Sequence, residues 1–186
     1  MGNKKGFTLI ELLAVLVILS IVMSIAIPNV ISTLEKSKKE TYVADAVKFL
    51  SLAKTELATS INKPANGELV RINLACVDNQ DLTKDPDGNT YSSTNSFVIA
   101  VRRDDTIVYY VNLVAENGSK NRGIRLTEKS LLDKEGKLKY VEKNFTIPDD
   151  AEIKSITGVS GSIRTCSNWC KLVTTVCKIL KLDWLL

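Results

Sequence analysis

The chain has 186 residues, 45% hydrophobic and 25% charged, which suits one modest domain plus an additional apolar segment. The net charge is +4, and no Lys/Arg stripe with interleaved aromatic residues is present beyond the first helix, so nothing indicates a nucleic-acid-binding protein. The absence of histidine excludes Ser-His-Asp and Cys-His catalytic arrangements and histidine-rich metal sites.

A long apolar segment opens the chain. Between Phe7 and Ile31 the only ionisable side chain is Glu11, and this run exceeds the roughly 20 apolar residues that a helix needs to cross a bilayer. Because Lys4 and Lys5 precede it without a nearby acid, we expect the N-terminus in the cytoplasm and the bulk of the chain outside. A secretory signal cleaved near Ser24-Ile25-Ala26 fits poorly, since the apolar run continues beyond that point.

The helical period continues beyond the apolar segment. Apolar residues at steps of mainly three and four form one stripe: Leu34, Val43, Ala46, Val47, Leu50, Ala53 and Leu57. The opposite face is charged: Glu35, Lys36, Lys39, Glu40, Lys48 and Lys54. Asn62-Lys63-Pro64 ends the pattern, so one helix is predicted from near Thr8 to about Ser60, bent at Pro28. We expect its first half in lipid and its second half packed on a domain.

The middle of the chain changes to a strand pattern. Three segments are rich in β-branched and aromatic residues, namely Glu68 to Val77, Ser96 to Arg102 and Thr106 to Ala115. Short polar connections between them favour an antiparallel sheet laid on the helix stripe, and therefore an α+β fold. The stretch from Leu82 to Asn89 is typical of a turn; its Asp and Asn side chains are also possible calcium ligands, and we favour the turn.

The C-terminal tail, residues 151–186, contains three of the four cysteines. Trp169, Leu172, Val173, Val176 and Leu180 share one predicted helical face, and Lys171, Lys178 and Lys181 share another. Such a helix covers the domain's own core, binds a partner or lies on a membrane, and the first is the usual case. Cys76, Cys166, Cys170 and Cys177 permit two disulfides in three pairings, and we favour a bond between the tail and Cys76. A zinc site of four thiolates is the weaker alternative.

The segment KKGFTLIELLAVLVILSIVMSIAIP resembles the N-terminal signature of type IV pilins and the related pseudopilins. In that family a prepilin peptidase cuts after the glycine that follows a short basic leader, here Gly6, and methylates the new N-terminal residue, here Phe7. Glu11 then occupies the family's acidic position, and Pro28 matches its helix-bending proline. The resemblance covers residues 1 to about 55, and it implies a long N-terminal helix packed on a small antiparallel sheet.

The resemblance also implies a role for Glu11. An acid in lipid is tolerable when a cation meets it there, and cleavage after Gly6 creates an amino group on Phe7 that a neighbouring subunit can present to Glu11. The alternative is an ordinary anchor helix in which Glu11 extends toward the membrane surface.

The sequence therefore predicts a type IV pilin, polymerised into a filament for adhesion, motility or surface interaction, with no catalysis, cofactor or metal of its own. The predicted parts are a leader (1–6), a membrane-spanning and filament-core helix (7–31), its amphipathic continuation (32–62) and a β-rich head with a helical tail (63–186). Expected partners are sister subunits, a prepilin peptidase, a platform protein of the inner membrane, an assembly ATPase and, before assembly, lipid. The alternatives are a pseudopilin of a type II secretion or DNA-uptake system and, more remotely, a membrane-anchored enzyme or binding protein. Nucleic acid is expected as a partner only in the case of DNA uptake.

Overall fold

The computed structural model describes residues 6–59, 63–78, 81–118 and 120–166. The chain divides into two compact units, Met1–Lys38 and Lys39–Leu186, and we call the second unit the head. The helices are α1 (Leu9–Thr59), α2 (Lys129–Leu132) and α3 (Asp150–Thr157), and short 3-10 turns lie at Leu74–Cys76 and Lys137–Tyr140. The strands are β1 (Leu69–Asn73), β2 (Thr90–Tyr91), β3 (Phe97–Arg103), β4 (Thr106–Asn117), β5 (Lys120–Glu128), β6 (Val141–Lys143) and β7 (Ile163–Thr165).

The strands form one sheet in the order β6-β5-β4-β3-β1-β7, with β2 paired to β4 beyond the end of β3. All neighbouring pairs are antiparallel except β1 with β7, which are parallel. A long helix packed on an antiparallel-rich sheet confirms the predicted α+β architecture of the type IV pilin kind. The first predicted strand is shorter than expected, because the chain leaves the sheet after Asn73 and forms the 3-10 turn that contains Cys76.

One face of the sheet packs on the part of α1 that belongs to the head. The buried residues of this helix are Tyr42, Val43, Ala46, Phe49, Leu50, Ala53 and Leu57, and they meet alternate residues of the central strands, such as Val98 and Ala100. The predicted stripe is correct at five of these positions and wrong at Leu34 and Val47, which are exposed. It also missed the two aromatic residues, Tyr42 and Phe49.

The other face of the sheet is covered by α3 and the segments that flank it. Ile153 of α3 packs with the intervening strand residues, including Leu69, Ile99 and Val101. Asp149 caps the helix by accepting a hydrogen bond from the Glu152 amide at 2.7 Å, and Gly158 ends it in the left-handed conformation. The head is thus a three-layer structure in which both faces of the sheet are buried.

β5 contains a β-bulge that shifts its register against β4. Between the Val111–Thr127 and Leu113–Ile124 pairs, two residues of β5 lie opposite Asn112 alone. The buried Asn112 side chain compensates for the interrupted ladder, because its oxygen accepts from the Leu126 amide at 3.0 Å and its amide donates to the Asn95 carbonyl.

Cys76 and Cys166 form a disulfide between residues 90 positions apart in the chain. Cys76 ends the 3-10 turn after β1, and Cys166 directly follows β7, so the bond joins the ends of two parallel neighbours in the sheet. The four-thiolate zinc site is therefore incompatible with the structure, since two of its sulfurs are bonded to each other. Cys170, Cys177 and the predicted amphipathic helix lie outside the described residues.

A polar cluster joins α1 to the turn that the sequence predicted between Leu82 and Asn89. The buried Asp85 carboxylate accepts a hydrogen bond from the Tyr42 hydroxyl, and it also accepts from the amides of Asp87 at 2.9 Å and Asn89 at 2.7 Å. Beside it, the Tyr91 hydroxyl donates to the Asp45 carboxylate at 2.7 Å. Asp85 therefore forms the turn itself and fastens it to the helix.

The pKa values of the two carboxylates in this cluster are shifted in opposite directions. Burial raises the pKa of Asp45, against the smaller lowering effects of the Tyr91 hydrogen bond and Lys48. Burial alone would also raise the pKa of Asp85, but the hydrogen bonds from Asn89 and Tyr42 outweigh it and lower that pKa. Ionised Asp45 therefore costs stability at neutral pH, whereas ionised Asp85 contributes stability.

We expect Asp45→Asn to raise the urea midpoint of the head at pH 7.5, because asparagine still accepts from Tyr91 and carries no charge to desolvate. Below the unfolded pKa of about 3.9, Asp45 is protonated in both the folded and the unfolded chain and costs no stability, and the cost develops as the pH rises. The difference in midpoint between Asp45→Asn and the parent should therefore vanish near pH 4. Asp85→Asn is the matched control. It should lower the midpoint at pH 7.5, and the difference from the parent should disappear at acid pH. A shift of the midpoint in the same direction for both variants would contradict the opposite pKa shifts of Asp45 and Asp85.

Candidate processing and assembly site

The N-terminal unit places the predicted processing residues directly before a helix. Gly6, Phe7 and Thr8 lie outside regular secondary structure, and α1 begins at Leu9. Phe7 is 90% exposed. The peptide bond between Gly6 and Phe7 therefore lies outside regular structure, as a protease needs for cleavage.

Glu11 holds the start of α1 through a capping box with Thr8. The Glu11 carboxylate accepts from both the amide and the hydroxyl of Thr8 at 2.8 Å, and the Thr8 hydroxyl accepts from the Glu11 amide at 3.4 Å. This reciprocal arrangement satisfies amides that a helix N-terminus leaves without internal partners. The capping role of Thr8 was not predicted, although Thr-x-x-Glu before an apolar run is a recognisable capping signal.

The large apolar side chains of residues 7–34 form a continuous exposed surface. Their exposed fractions range from 45% at Leu19 to 90% at Phe7. Among the described residues, α1 is the one helix that is long and apolar enough to cross a membrane. The hydroxyls of Ser20 and Ser24 donate to carbonyls four residues earlier, at 2.8 and 2.9 Å, so they can enter lipid with their hydrogen bonds satisfied.

Pro28 lies inside α1, which is helical on both sides of it. Its ring removes the hydrogen bond that an amide at this position would donate to the Ser24 carbonyl. The bend expected there stays a prediction. Of the four predicted cysteines, Cys76 and Cys166 are not part of this site, because they belong to the head.

Comparison with known proteins identifies this segment. The family described as the prokaryotic N-terminal methylation motif matches residues 1–27. The chain carries a prepilin-type N-terminus. The matched residues include Gly6, Phe7 and Glu11 and the exposed apolar start of α1, and the motif is that of type IV pilins and pseudopilins.

Curated relatives include both kinds of prepilin-type protein. The chain is 44% identical over 52 residues to the type IV wide pilus major component PilA4 of Thermus thermophilus. It is 38% and 41% identical, over 47 and 45 residues, to the type II secretion system core protein G of Klebsiella pneumoniae and of Dickeya chrysanthemi. These matches cover 24% to 26% of this chain.

The chain spans 40%, 34% and 29% of the length of these three relatives. No solved structure matches it. The pilin and pseudopilin family is a class of structural subunits and not a class of enzymes.

Proposed function

We propose that this protein is a type IV pilin, a structural subunit that is cut between Gly6 and Phe7, methylated on Phe7 and polymerised into a pilus. The observation that carries the proposal is the exposed apolar surface of residues 7–34, which begins at the cleavage position. So large an apolar surface requires cover. Lipid provides the cover before assembly, and the same segments of sister subunits provide it in the filament.

The proposed docking step pairs two charges inside the apolar filament core. Removal of residues 1–6 leaves an amino group on Phe7, and Glu11 of a neighbouring subunit, displaced along the filament axis, receives it. Each charge alone is costly in an apolar environment, so the pair favours the one axial step at which both are neutralised. The capping box supports this proposal, because it holds the Glu11 carboxylate at a fixed place on the helix. Pro28 would then set the curvature with which neighbouring helices pack.

The proposed topology places residues 1–6 in the cytoplasm, 7–31 in the membrane and both 32–62 and the β-rich remainder, 63–186, outside, with the whole subunit extracellular after assembly. The Cys76–Cys166 disulfide supports this orientation, because such bonds persist in oxidising compartments. No phosphate-binding GxxxxGK[ST] motif is present in the sequence, so the energy for assembly comes from an ATPase. A prepilin peptidase and a platform protein of the inner membrane complete the set of partners.

A pseudopilin is the second candidate, and the similarity to core protein G of two type II secretion systems favours it. Processing and docking chemistry would be the same, but the polymer would be short and would remain in the cell envelope. A DNA-uptake system is the other setting in which such a polymer would act, and nucleic acid would then be a partner.

Electron microscopy with gold-labelled antibodies against the head distinguishes the candidates in cells that make this protein. A pilin labels the whole length of filaments that shear from the cell surface. Label confined to the envelope, together with loss of secretion or DNA uptake when the chain is deleted, would indicate the pseudopilin. A chain found in no polymer would indicate a membrane tether and contradict both.

A further inference from the structure

The head contains two Asn-x-Ser/Thr segments, the acceptor motif for glycans linked to asparagine. They are Asn117-Gly118-Ser119 and Asn144-Phe145-Thr146. Asn117 is the last residue of β4 and pairs with Lys120 of β5, whereas Asn144 directly follows β6 and belongs to no strand. The motif is common by chance, so the surroundings of each asparagine decide which of the two is an acceptor.

The side chains that a glycan transferase must reach at the second segment are exposed. These are the acceptor Asn144 and the hydroxyl-bearing Thr146. Asn144 has φ +58°, a left-handed conformation that ends β6, and residues 145–149 have no regular secondary structure. Among the described residues no partner forms a hydrogen bond with the Asn144 side chain. Its amide group is therefore accessible to an enzyme.

The residue two positions before the asparagine also differs between the segments. Bacterial transferases of this class bind substrates that carry an acid at this position, where a basic side chain of the enzyme pairs with it. Glu142 occupies the position before Asn144 and is exposed, whereas Ala115 occupies it before Asn117 and is buried. Residues 142–146 thus form a complete acceptor segment, and residues 115–119 do not.

We propose that Asn144 is a glycosylation site, and that its glycan comes from an oligosaccharide carried on a polyprenyl diphosphate. The Asn144 side-chain nitrogen forms a bond with the anomeric carbon of the sugar, and the bond between that carbon and the diphosphate oxygen breaks. The polyprenyl diphosphate leaves with the electron pair, and the amide nitrogen gives one proton to a base of the transferase. The inference rests on the proposed function, because transfer occurs outside the membrane, where that function places the head.

The fold holds the middle of the acceptor segment against the sheet. Phe145 is 8% exposed, and its carbonyl accepts a hydrogen bond from the Asn121 side-chain amide at 2.9 Å. The Asn121 carbonyl accepts from the Asn144 backbone amide at 2.7 Å. A transferase bends the segment into its own site, so these contacts must open, or form after transfer. We therefore expect the glycan to be added before the head is packed in a filament.

A glycan on Asn144 would lie beside β6, which is an edge strand of the sheet. Edge strands present unpaired amides and carbonyls to other chains, and a bulky hydrophilic group beside them prevents such pairing. The same bulk and polarity exclude the glycan from a buried contact between subunits. Asn144 should therefore face solvent in the filament.

Mass spectrometry of the full chain, taken from the cells that make it, tests the site. Trypsin separates the two segments, since the peptide that ends at Lys154 contains Asn144 and the peptide that ends at Lys120 contains Asn117. We expect the first peptide to carry an added oligosaccharide, located on Asn144 by electron-transfer fragmentation. The second peptide should be unmodified. Sheared filaments and detergent extracts of membranes are measured separately.

Two substitutions of Thr146 form a matched pair. Thr146→Ser keeps the hydroxyl and should keep the glycan, whereas Thr146→Val has nearly the same shape without the hydroxyl and should lose it. Glu142→Gln should also lose the glycan, because the acid is removed. Asn144→Gly removes the acceptor and tolerates the left-handed backbone. Urea unfolding of each detergent-solubilised variant shows that its head is folded.

The outcomes separate this inference from the proposed function. An unmodified Asn144, a glycan on Asn117 instead, or a glycan that survives Thr146→Val overturns the site, and filaments of such a chain leave the pilin proposal intact. A glycan on Asn144 of a subunit that enters no polymer supports the site and overturns the pilin proposal. An unmodified chain found in no polymer overturns both.

Discussion

Glu11→Gln is expected to leave the chain in the membrane and to abolish filaments. Glutamine preserves the capping box with Thr8, so the start of α1 is unchanged, but it removes the negative charge that pairs with the neighbouring Phe7 amine. Loss of one partner from a buried ion pair costs about 3–5 kcal/mol, which corresponds to a decrease of more than a hundredfold in association. Membrane fractionation measures insertion, and the yield of sheared filaments measures assembly.

Thr8→Ala is the matched control for this experiment. It removes the hydroxyl that bonds Glu11 and leaves the carboxylate in place, so it costs about 1 kcal/mol of helix capping and should assemble almost normally. Glu11→Ala removes both functions; its insertion should be normal or improved, and its assembly should fail. Normal filaments from Glu11→Gln, or equal defects in Glu11→Gln and Thr8→Ala, would mean that Glu11 acts only as a helix cap.

Removal of the Cys76–Cys166 disulfide should destabilise the head by about 2–4 kcal/mol, the typical effect of a structural disulfide. The bond closes a long loop that includes every strand between β1 and β7, so its loss releases a large number of unfolded conformations. β7 depends on it most, because this strand has three residues and, among the described residues, pairs with β1 alone. Urea unfolding of the detergent-solubilised full chain measures the effect.

Alanine replaces both cysteines in this experiment, since Cys166 is buried and a serine hydroxyl there would add a desolvation cost. The variants are made in a chain that also carries Cys170→Ala and Cys177→Ala, which prevents exchange with the other two cysteines. That background alone is the reference for the midpoint. An unchanged midpoint after loss of Cys76 and Cys166 would contradict a structural role for the bond.

Local signals in the sequence predicted the long helix and three of the strands. Asn62-Lys63-Pro64 marked the end of α1, and the β-branched runs marked β1, β3 and β4. β5 was missed because its polar residues conceal the alternation, and Gly123 and a bulge interrupt it. Gly123 has φ +147°, and a Cβ there would lie 1.9 Å from the Leu113 carbonyl oxygen, a close approach that only the paired strand reveals.

Other features depend on residues distant in sequence, which a local pattern cannot relate. Tyr42 was not assigned to the core, because its hydroxyl needs a partner and Asp85 lies 43 residues away. Ile153 is buried only because α3 returns to the second face of the sheet. By contrast, the Thr8–Glu11 capping box and the Asp149 cap both follow the local spacing of a capping residue with Glu three positions later, so the sequence alone is enough to predict them.

The N-terminus of the subunit in purified filaments tests the central claim most directly. Filaments are sheared from cells, the subunit is digested, and its N-terminal peptide is identified by mass spectrometry. Processing and assembly of this chain predict a peptide that begins at Phe7 and carries one additional methyl group on its amine. Recovery of an N-terminal peptide that begins at Met1, or at Ile27 after a secretory signal, would contradict the claim.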